Sequence, residues 1–551
     1  PVLSRHGERP RARSTAKAYV LLVAACASTA SGDEGRVVVS PSGVVRDAAP
    51  AAGNGSDTIA EHAVFEDHDW RRPGAVAAAT KVEASATTEA LLETEFAPPV
   101  VLFDPTDDET ITCMAEFKGK LYLGSCTRPA NTDTGSIFTY DPELHEWKKV
   151  FQVNEQGIIR LEAHGDTLYV PGYDANDGGW NLGNIYVHDG ETWVERRTVP
   201  RAVHTYGLAV LDGRIYLSAD VFDEGLVGDN SKSRVKLYGR VMSSGDGGLT
   251  WREEYRSPKP GQDVGLLTVF KDQLVLNARG DLVVGDGRDW RQLNPDGANF
   301  LYVLEFAADR NRLLLGTPFG LCYFDGRRTW RSPFFSHYPG LGIVRGITRF
   351  KDHWVFAGHR RGAVRHGPGG THTYPRLDRG DGKLPEGFLW VVSQKALERD
   401  ATGGLLDWEQ DGIRRVPVKD VPSCCRGFRG RVYLGTHAEG CVLVLPVAKE
   451  GSLEAAPRPI PRAGEHRLRW DAATPPGTTV TFQLRTATTR EALANIPYVG
   501  PDGTAQSRFE RPDSPVNVPQ AGFIQYRVTL KTENPALTPY LKRVILSGPL
   551  P

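Results

Sequence analysis

Methionine is nearly absent from this chain, with 2 residues among 551, whereas glycine numbers 59, proline 38 and tryptophan 11. Such a composition favours many turns and strands over long helices. An excess of charge is also absent, because the formal net charge is −1. We therefore expect no nucleic-acid partner, and any anion-binding surface has to be local. A chain of this length predicts about two to four domains.

The N-terminus has the features of an export signal. Basic residues precede a short apolar run at 18–25, which is shorter than the about 20 residues of a membrane-spanning helix. The sequence predicts a signal peptide over 1–30. Val-Ala-Ala-Cys at 23–26 resembles the lipobox of bacterial lipoproteins, which would make Cys26 a lipidation site. Ordinary cleavage after Ala27 or Ala30 is the alternative. In both cases we expect an exported protein that meets a membrane only through a lipid anchor.

Residues 31–98 are rich in small and polar residues and show no sustained periodicity, so we predict a disordered tether there. From residue 99 the chain is periodic, with a unit of roughly 30 to 50 residues. Each unit contains two apolar strands around a short charged or glycine-containing turn, as in LAVLDGRIYLSA at 208–219. Each such pair predicts a β-hairpin.

A second motif follows most of these hairpins. Its complete copy, Ser244 to Trp251, reads S-x-D-x-G-x-T-W. Incomplete copies end at Trp147, Trp193, Trp290 and Trp330. The motif resembles the Asp-box, or BNR repeat, of sialidase-like β-propellers. The resemblance implies exported carbohydrate-active proteins and a tight turn between the third and fourth strands of each blade. The Arg-Ile-Pro motif of sialidases is absent, since 159–161 reads Ile-Arg-Leu.

We therefore predict an all-β protein with a seven- or eight-bladed β-propeller over 99–446. The count depends on whether 388–418 is a blade or an insertion. The orphan strand at 100–103 is expected to supply the outer strand of the last blade and close the ring. A linker is predicted at 447–465. Alternating strands at 466–551 predict a C-terminal β-sandwich similar to those of exported carbohydrate-active enzymes.

Function is sought in the loops that enter each first strand and the loops that leave each second strand. They open on one face of a propeller, here called the upper face. They carry polar side chains that the repeat does not require: Arg160, Tyr173, Asp174, His204, Tyr206, Asp220, Asp263, Arg279, Tyr302, Arg345, His359, Arg360 and His437. Trp180, in the polar loop that follows Asp174, could stack on a sugar ring.

Arginine forks match carboxylates and sulfates, so several of these residues suggest an acidic ligand. With Arg160, the pair His204 and Tyr206 suits β-elimination on an acidic polysaccharide. Hydrolysis by two of the carboxylates Asp174, Asp220 and Asp263 is the alternative. The other functional class is a non-catalytic propeller that binds glycan or protein. A purely structural role is also open, with the arginines in loop salt bridges and His204 with Tyr206 as a hydrogen-bonded core pair. No local ligand spacing supports a metal site at His359 and His437, so we expect no cofactor, and we expect a monomer.

Overall fold

The structure, a computed structural model, describes residues 61–67, 76–78, 82–84, 89–105, 109–127, 135–173, 183–197, 202–222, 237–278, 281–293, 303–337, 342–359, 387–437 and 440–549. These residues form antiparallel sheets with two short α-helices, Pro333–His337 and Gln394–Ala401, and a 3-10 helix, Ala492–Asn495. The predicted all-β class is therefore confirmed. Among the described residues, no helix is long and apolar enough to cross a membrane.

Seven blades, here called blades 1 to 7, follow one another along the chain. Five are separate four-stranded sheets, and blades 1 and 2 share one nine-stranded sheet. Blades 1 to 3 contain Glu109–Phe117, Lys120–Thr127, Ser136–Asp141 and Glu146–Gln152; Gly157–Ile158, Glu162–His164, Thr167–Tyr173, Asn184–His188 and Trp193–Arg197; and Ala202–Leu211, Arg214–Phe222, Leu237–Ser244 and Arg252–Arg256. Blades 4 and 5 contain Val264–Phe270, Gln273–Ala278, Asp281–Gly285 and Trp290–Leu293; and Glu305–Asp309, Arg312–Thr317, Gly320–Phe324 and Thr329–Arg331.

Blade 6 contains Ile343–Phe350, His353–His359, Gly387–Ser393 and Arg414–Val418, and blade 7 contains Pro422–Phe428, Arg431–Thr436, Val442–Val444 and Val100–Phe103. The first, innermost strands of successive blades contact one another or the preceding blade, and blade 7 contacts blade 1. The ring is therefore a closed β-propeller of seven blades. The segment 388–418 is no eighth unit, because its strands complete blade 6 and a helix lies between them.

The ring closes as predicted. Val100–Phe103 pairs with Val442–Val444 and becomes the outer strand of blade 7. Phe103 is buried and stacks on Trp147 of blade 1, with ring centroids 5.3 Å apart. One strand from the start of the propeller thus seals its last blade, which removes two exposed sheet edges.

In blades 1, 3, 4 and 7 the hairpins between first and second strands turn on two residues with positive φ. Asp212 and Gly213 have φ of 49° and 73°, and Lys118 with Gly119 and Arg429 with Gly430 repeat the pattern. Two consecutive positive φ values match the right-handed twist of the flanking strands. These turns lie on the lower face, opposite the upper face.

The segment Ser244–Trp251 forms the predicted turn between the third and fourth strands of blade 3. Oδ1 of Asp246 accepts the backbone N–H groups of Leu249 at 3.0 Å and Thr250 at 2.9 Å, and the Thr250 hydroxyl donates to Oδ2 at 2.6 Å. The equivalent turns of other blades are built on Asp141, Asp189, Asp286 and Asp325, each of which accepts two backbone N–H groups. The motif therefore stabilises the turn between the third and fourth strands on the lower face.

The C-terminal unit consists of two packed sheets, and it extends beyond its predicted start. One sheet contains Glu61–Asp67, Val82–Ala84, Ala90–Leu92, Gly464–Ala473, Ser514–Val518 and Tyr540–Pro549. The other contains Val76–Ala78, Glu450–Glu454, Arg458–Ile460, Thr478–Ala487 and Gly522–Thr532. Their facing side chains form one buried apolar cluster.

Two sequence predictions are corrected by this pairing. The tether predicted at 31–98 contains four strands, because its short segments gain backbone hydrogen bonds by joining the sandwich, as Glu61–Asp67 does on Tyr540–Pro549. The linker predicted at 447–465 contains two strands that both pair with Gly522–Thr532. Composition hid both, since edge strands tolerate proline and need little apolar periodicity.

The sandwich docks on the lower face of blades 7 and 1 through buried charges. Arg429, in the first hairpin turn of blade 7, pairs with Glu89 and, at 2.7 Å, with Glu143 of blade 1. Its guanidinium also lies 5.0 Å from the ring centroid of Tyr540, and Lys542 reaches Glu143 at 2.6 Å. The ring-closing seam is thus covered by the domain that holds both ends of the described chain.

Candidate functional site

A β-bulge recurs near the upper end of the innermost strands. The pairing register shifts around Thr112 in blade 1, Tyr206 in blade 3, Arg345 in blade 6 and Ser423 in blade 7. In blades 1 and 7 the bulged hydroxyl is structural: Thr112 donates to the carbonyl of Ile158, and Ser423 donates to that of Ile111. Bulges re-aim side chains next to active sites. Blades 3 and 6 carry a tyrosine and an arginine at this position instead.

Tyr206 uses its position to reach a carboxylate. Its hydroxyl donates a hydrogen bond of 2.9 Å to Oδ2 of Asp220. Asp220 lies at the upper end of the second strand of the same blade. Oδ1 of Asp220 accepts the backbone N–H of Val264, at 3.1 Å, where blade 4 begins. Asp220 is buried and bonded on both oxygens, so its orientation is fixed.

Two further rings from blades 2 and 3 pack against Tyr206. The ring of Tyr173 stacks on His204 with centroids 5.4 Å apart and an interplanar angle of 23°. Tyr206 lies 5.7 Å from Tyr173 and 5.6 Å from His204. We call Tyr173, His204, Tyr206, Asp220 and Asp263 the upper-face cluster. It joins five sequence-predicted residues from three blades.

The electrostatics of the cluster keep the phenol protonated. Burial raises the pKa of Tyr206 well above its usual value, and the nearby Asp220, Tyr173 and Asp263 raise it further. Tyr206 therefore cannot act as an ionised base near neutral pH. A neutral phenol bonded to a carboxylate can instead pass its proton to that carboxylate as its oxygen attacks an electrophile.

Arg345 and His359 form a separate pair in blade 6. Both are buried, and Nε of Arg345 lies 3.3 Å from Nε2 of His359. Blade 6 is three blades away from blade 3, so this pair is not part of the upper-face cluster. His437 is buried in blade 7, where its carbonyl accepts the hydroxyl of Thr110 at 2.8 Å and so ties blade 7 to blade 1.

Arg160 belongs to blade 2, whereas His204 and Tyr206 belong to blade 3. It lies between the two short innermost strands of blade 2, is 0% exposed, and its Nη2 lies 3.2 Å from Oε2 of Glu162. Of the upper-face arginines predicted to bind an acidic ligand, Arg160 and Arg345 lie among the described residues, and both are buried. Arg345 sits in the bulge of blade 6.

Sequence reasoning missed two buried glutamates. Glu162 was missed although it lies two residues from Arg160. Glu155, before blade 2, accepts the hydroxyl of Tyr186 at 2.8 Å and the amide of Asn184 at 2.9 Å. Burial raises the pKa of both carboxyls. The available signal for Glu162 was a glutamate that follows the mostly apolar residues at 158–161, whereas Glu155 lies between two polar residues and gave no such signal.

The cysteines at the seam between blades 1 and 7 are free thiols. Cys113 and Cys424 lie on adjacent innermost strands, but each sulfur points to a backbone carbonyl of the next blade, Ile158 at 3.7 Å and Ile111 at 3.8 Å. Because the two cysteines occupy the same position in their blades, their sulfurs point in the same direction around the ring and do not face each other.

Some predicted positions lie outside the described residues: Cys26 with the signal peptide 1–30, Asp174, Trp180, Arg279, Tyr302 and Arg360. Within the described ranges, no group of three or more His, Cys, Asp or Glu side chains is arranged to hold a metal ion.

Comparisons with known proteins give distant likeness only. No protein-family profile matches the chain, and no curated protein matches it. Among solved structures, the computationally designed Ika8 protein is similar over 64% of this chain and 99% of its own, with 13% identity and a TM-score of 0.36. The WD40 β-propeller domain of Doa1 is similar over 63% of this chain and 96% of its own, with 11% identity and a TM-score of 0.38.

Proposed function

We propose that the chain is an exported, carbohydrate-active β-propeller that hydrolyses a glycan at the upper-face cluster. The observation that carries the proposal is the 2.9 Å hydrogen bond from the Tyr206 hydroxyl to Asp220, with Asp263 close by. Resemblance of Ser244–Trp251 to the Asp-box supports the sugar-acting class, and the apolar run at 18–25 supports export, with Cys26 as the candidate lipid anchor.

Each residue has a role in this reaction. The Tyr206 oxygen attacks the anomeric carbon as its proton passes to Asp220. Asp263, which is only partly buried, protonates the leaving oxygen. Water then attacks the anomeric carbon of the glycosyl–tyrosine intermediate and gives its proton to the Asp263 carboxylate, while Asp220 returns its proton to the phenol oxygen as the bond to tyrosine breaks. The Val264 N–H and the rings of Tyr173 and His204 hold the pair in place.

The second candidate is the β-elimination predicted from the sequence, on an acidic polysaccharide. The contact between His204 and Tyr206 favours it, with ring centroids 5.6 Å apart. Because the pKa of Tyr206 is raised, the phenol would donate a proton to the leaving oxygen, and His204 would remove the sugar C–H proton. Arg160 would have to neutralise the sugar acid from blade 2. Hydrolysis ranks first because Tyr206 donates to the Asp220 carboxylate and the Asp263 carboxylate is near enough to raise the pKa of Tyr206 further.

The products distinguish the two reactions. We would incubate the full chain with neutral and uronate-containing polysaccharides and follow reducing ends and the ultraviolet absorbance of unsaturated sugars. Reducing ends without absorbance would support hydrolysis, whereas absorbance would support elimination. Neither signal on a polysaccharide that the protein binds would contradict both reactions and favour a non-catalytic binder.

A further inference from the structure

Arg160 has hydrogen-bond donors that the described protein does not use. The residue is 0% exposed, and its Nη2 lies 3.2 Å from Oε2 of Glu162. Nε and Nη1 of Arg160 have no hydrogen-bond partner among the described residues. Buried polar groups in folded proteins are almost always satisfied, because an unpaired donor retains its full desolvation cost. These donors therefore call for a partner other than the described residues.

The surroundings place these donors at the central channel. The carboxyl of Glu162 interacts with Arg160 and with Arg426, which lies on the innermost strand of blade 7. Blade 1 separates blade 2 from blade 7, so side chains of both blades can meet one carboxyl only on the channel side. The positive charge of Arg160 also partly offsets the rise that burial causes in the pKa of the Cys113 thiol of blade 1. The site thus lies in the channel wall beside blade 1.

The local charge favours an anion over water alone. Arg160 and Arg426 contribute two positive charges, against the one carboxylate of Glu162 that they share. Glu305 is another buried carboxylate on an innermost strand. Its negative charge raises the pKa of Cys425, and its Oε1 accepts the backbone N–H of Phe306 at 3.0 Å. A guanidinium with two open donors matches the paired oxygens of a carboxylate or sulfate.

We propose that the channel wall beside blade 1 binds a small oxyanion at Nε and Nη1 of Arg160. The anion is either free in solution or the acid group of a sugar. The site is independent of the upper-face cluster, and binding there does not require turnover.

Calorimetric titration of the full chain with sodium glucuronate, sodium sulfate and glucose, at constant ionic strength, tests the proposal. We expect saturable one-to-one binding of an oxyanion and none of glucose. Equal binding of sulfate and glucuronate identifies a free-anion site, whereas preference for glucuronate identifies a sugar acid. Absence of saturable binding by either anion would overturn the proposal.

Two variants and one control give the residue dependence. Arg160→Gln should weaken binding at least tenfold, whereas Glu162→Gln should tighten it several-fold by removing the competing carboxylate. Arg345→Gln is the control, because that arginine is equally buried but bonded to His359. Unchanged affinity in Arg160→Gln would contradict the site. If that variant does not fold, a crystal of the wild-type chain soaked in selenate decides: anomalous density at Arg160 supports the site, and water alone refutes it.

Discussion

Tyr206 donates a hydrogen bond to Asp220 on the upper face of blade 3, and the same kind of pair recurs on the lower face, where Tyr323 donates to Asp400 at 2.6 Å. Both tyrosines have a pKa well above the usual value, chiefly because they are buried. The lower pair joins blade 5 to the helix of blade 6 and also bonds Ser332 and the Phe334 N–H. The upper pair is bordered by His204 and Asp263. The two pairs therefore form a matched test of function against stability.

Substituting the upper pair should abolish turnover. We expect Tyr206→Phe and Asp220→Asn each to lower kcat at least about 100-fold, because the attacking oxygen or its proton acceptor is removed. Tyr323→Phe should lower the free energy of unfolding by about 1–2 kcal/mol and leave kcat unchanged. Steady-state kinetics and urea unfolding of the three variants check this. Equal loss of activity in Tyr323→Phe would mean that both pairs only stabilise the fold.

Acid should weaken the lower-face turns. Backbone and hydroxyl donors lower the pKa of Asp189 to about 2 and that of Asp246 still further. A carboxyl with a lowered pKa in the folded state stabilises the fold above its unfolded pKa, near 3.8, and this contribution is lost as pH falls through the folded pKa. We therefore expect Tm to fall between about pH 4 and pH 2. Asp246→Asn should flatten that slope, and an unchanged slope would contradict the assignment.

The docked sandwich should depend on Arg429. Removing this arginine leaves Glu89 and Glu143 without their shared cation, so Arg429→Met should cost about 3 kcal/mol in unfolding free energy. Arg467→Met is the control, because its partner Asp513 is half exposed, and it should cost less than about 1 kcal/mol. Chemical denaturation measures both. Similar small losses would show that the interface is weak.

The ring closure should be sensitive at Phe103. Phe103→Ala removes a buried ring from the Trp147 stack and should cost about 3–4 kcal/mol. Val101→Ala, in the same strand but 54% exposed, should cost less than about 0.5 kcal/mol. Thermal unfolding compares the two variants, and equal effects would argue against a closure role for this strand.

The sequence was sufficient to predict the repeat, the strand that closes the ring and the members of the upper-face cluster, because hydrophobic periodicity and turn residues are local signals. The contacts within the cluster were not predictable. Counting back from the turn at Asp212 and Gly213 would place Thr205 opposite Asp220, whereas the bulge pairs His204 with Asp220 and leaves Tyr206 unpaired in the ladder. A bulge adds one residue without changing composition. The strands Glu61–Asp67 and Val76–Ala78 were missed for a related reason, since their partners lie more than 350 residues away.

The most direct test of the account is the release of reducing ends from a polysaccharide panel by the full chain, compared with Tyr206→Phe and Tyr323→Phe. We predict release by the wild-type chain and by Tyr323→Phe, and loss of release in a folded Tyr206→Phe variant that still binds the polysaccharide. Undiminished release by Tyr206→Phe would contradict the assignment of the upper-face cluster as the active site.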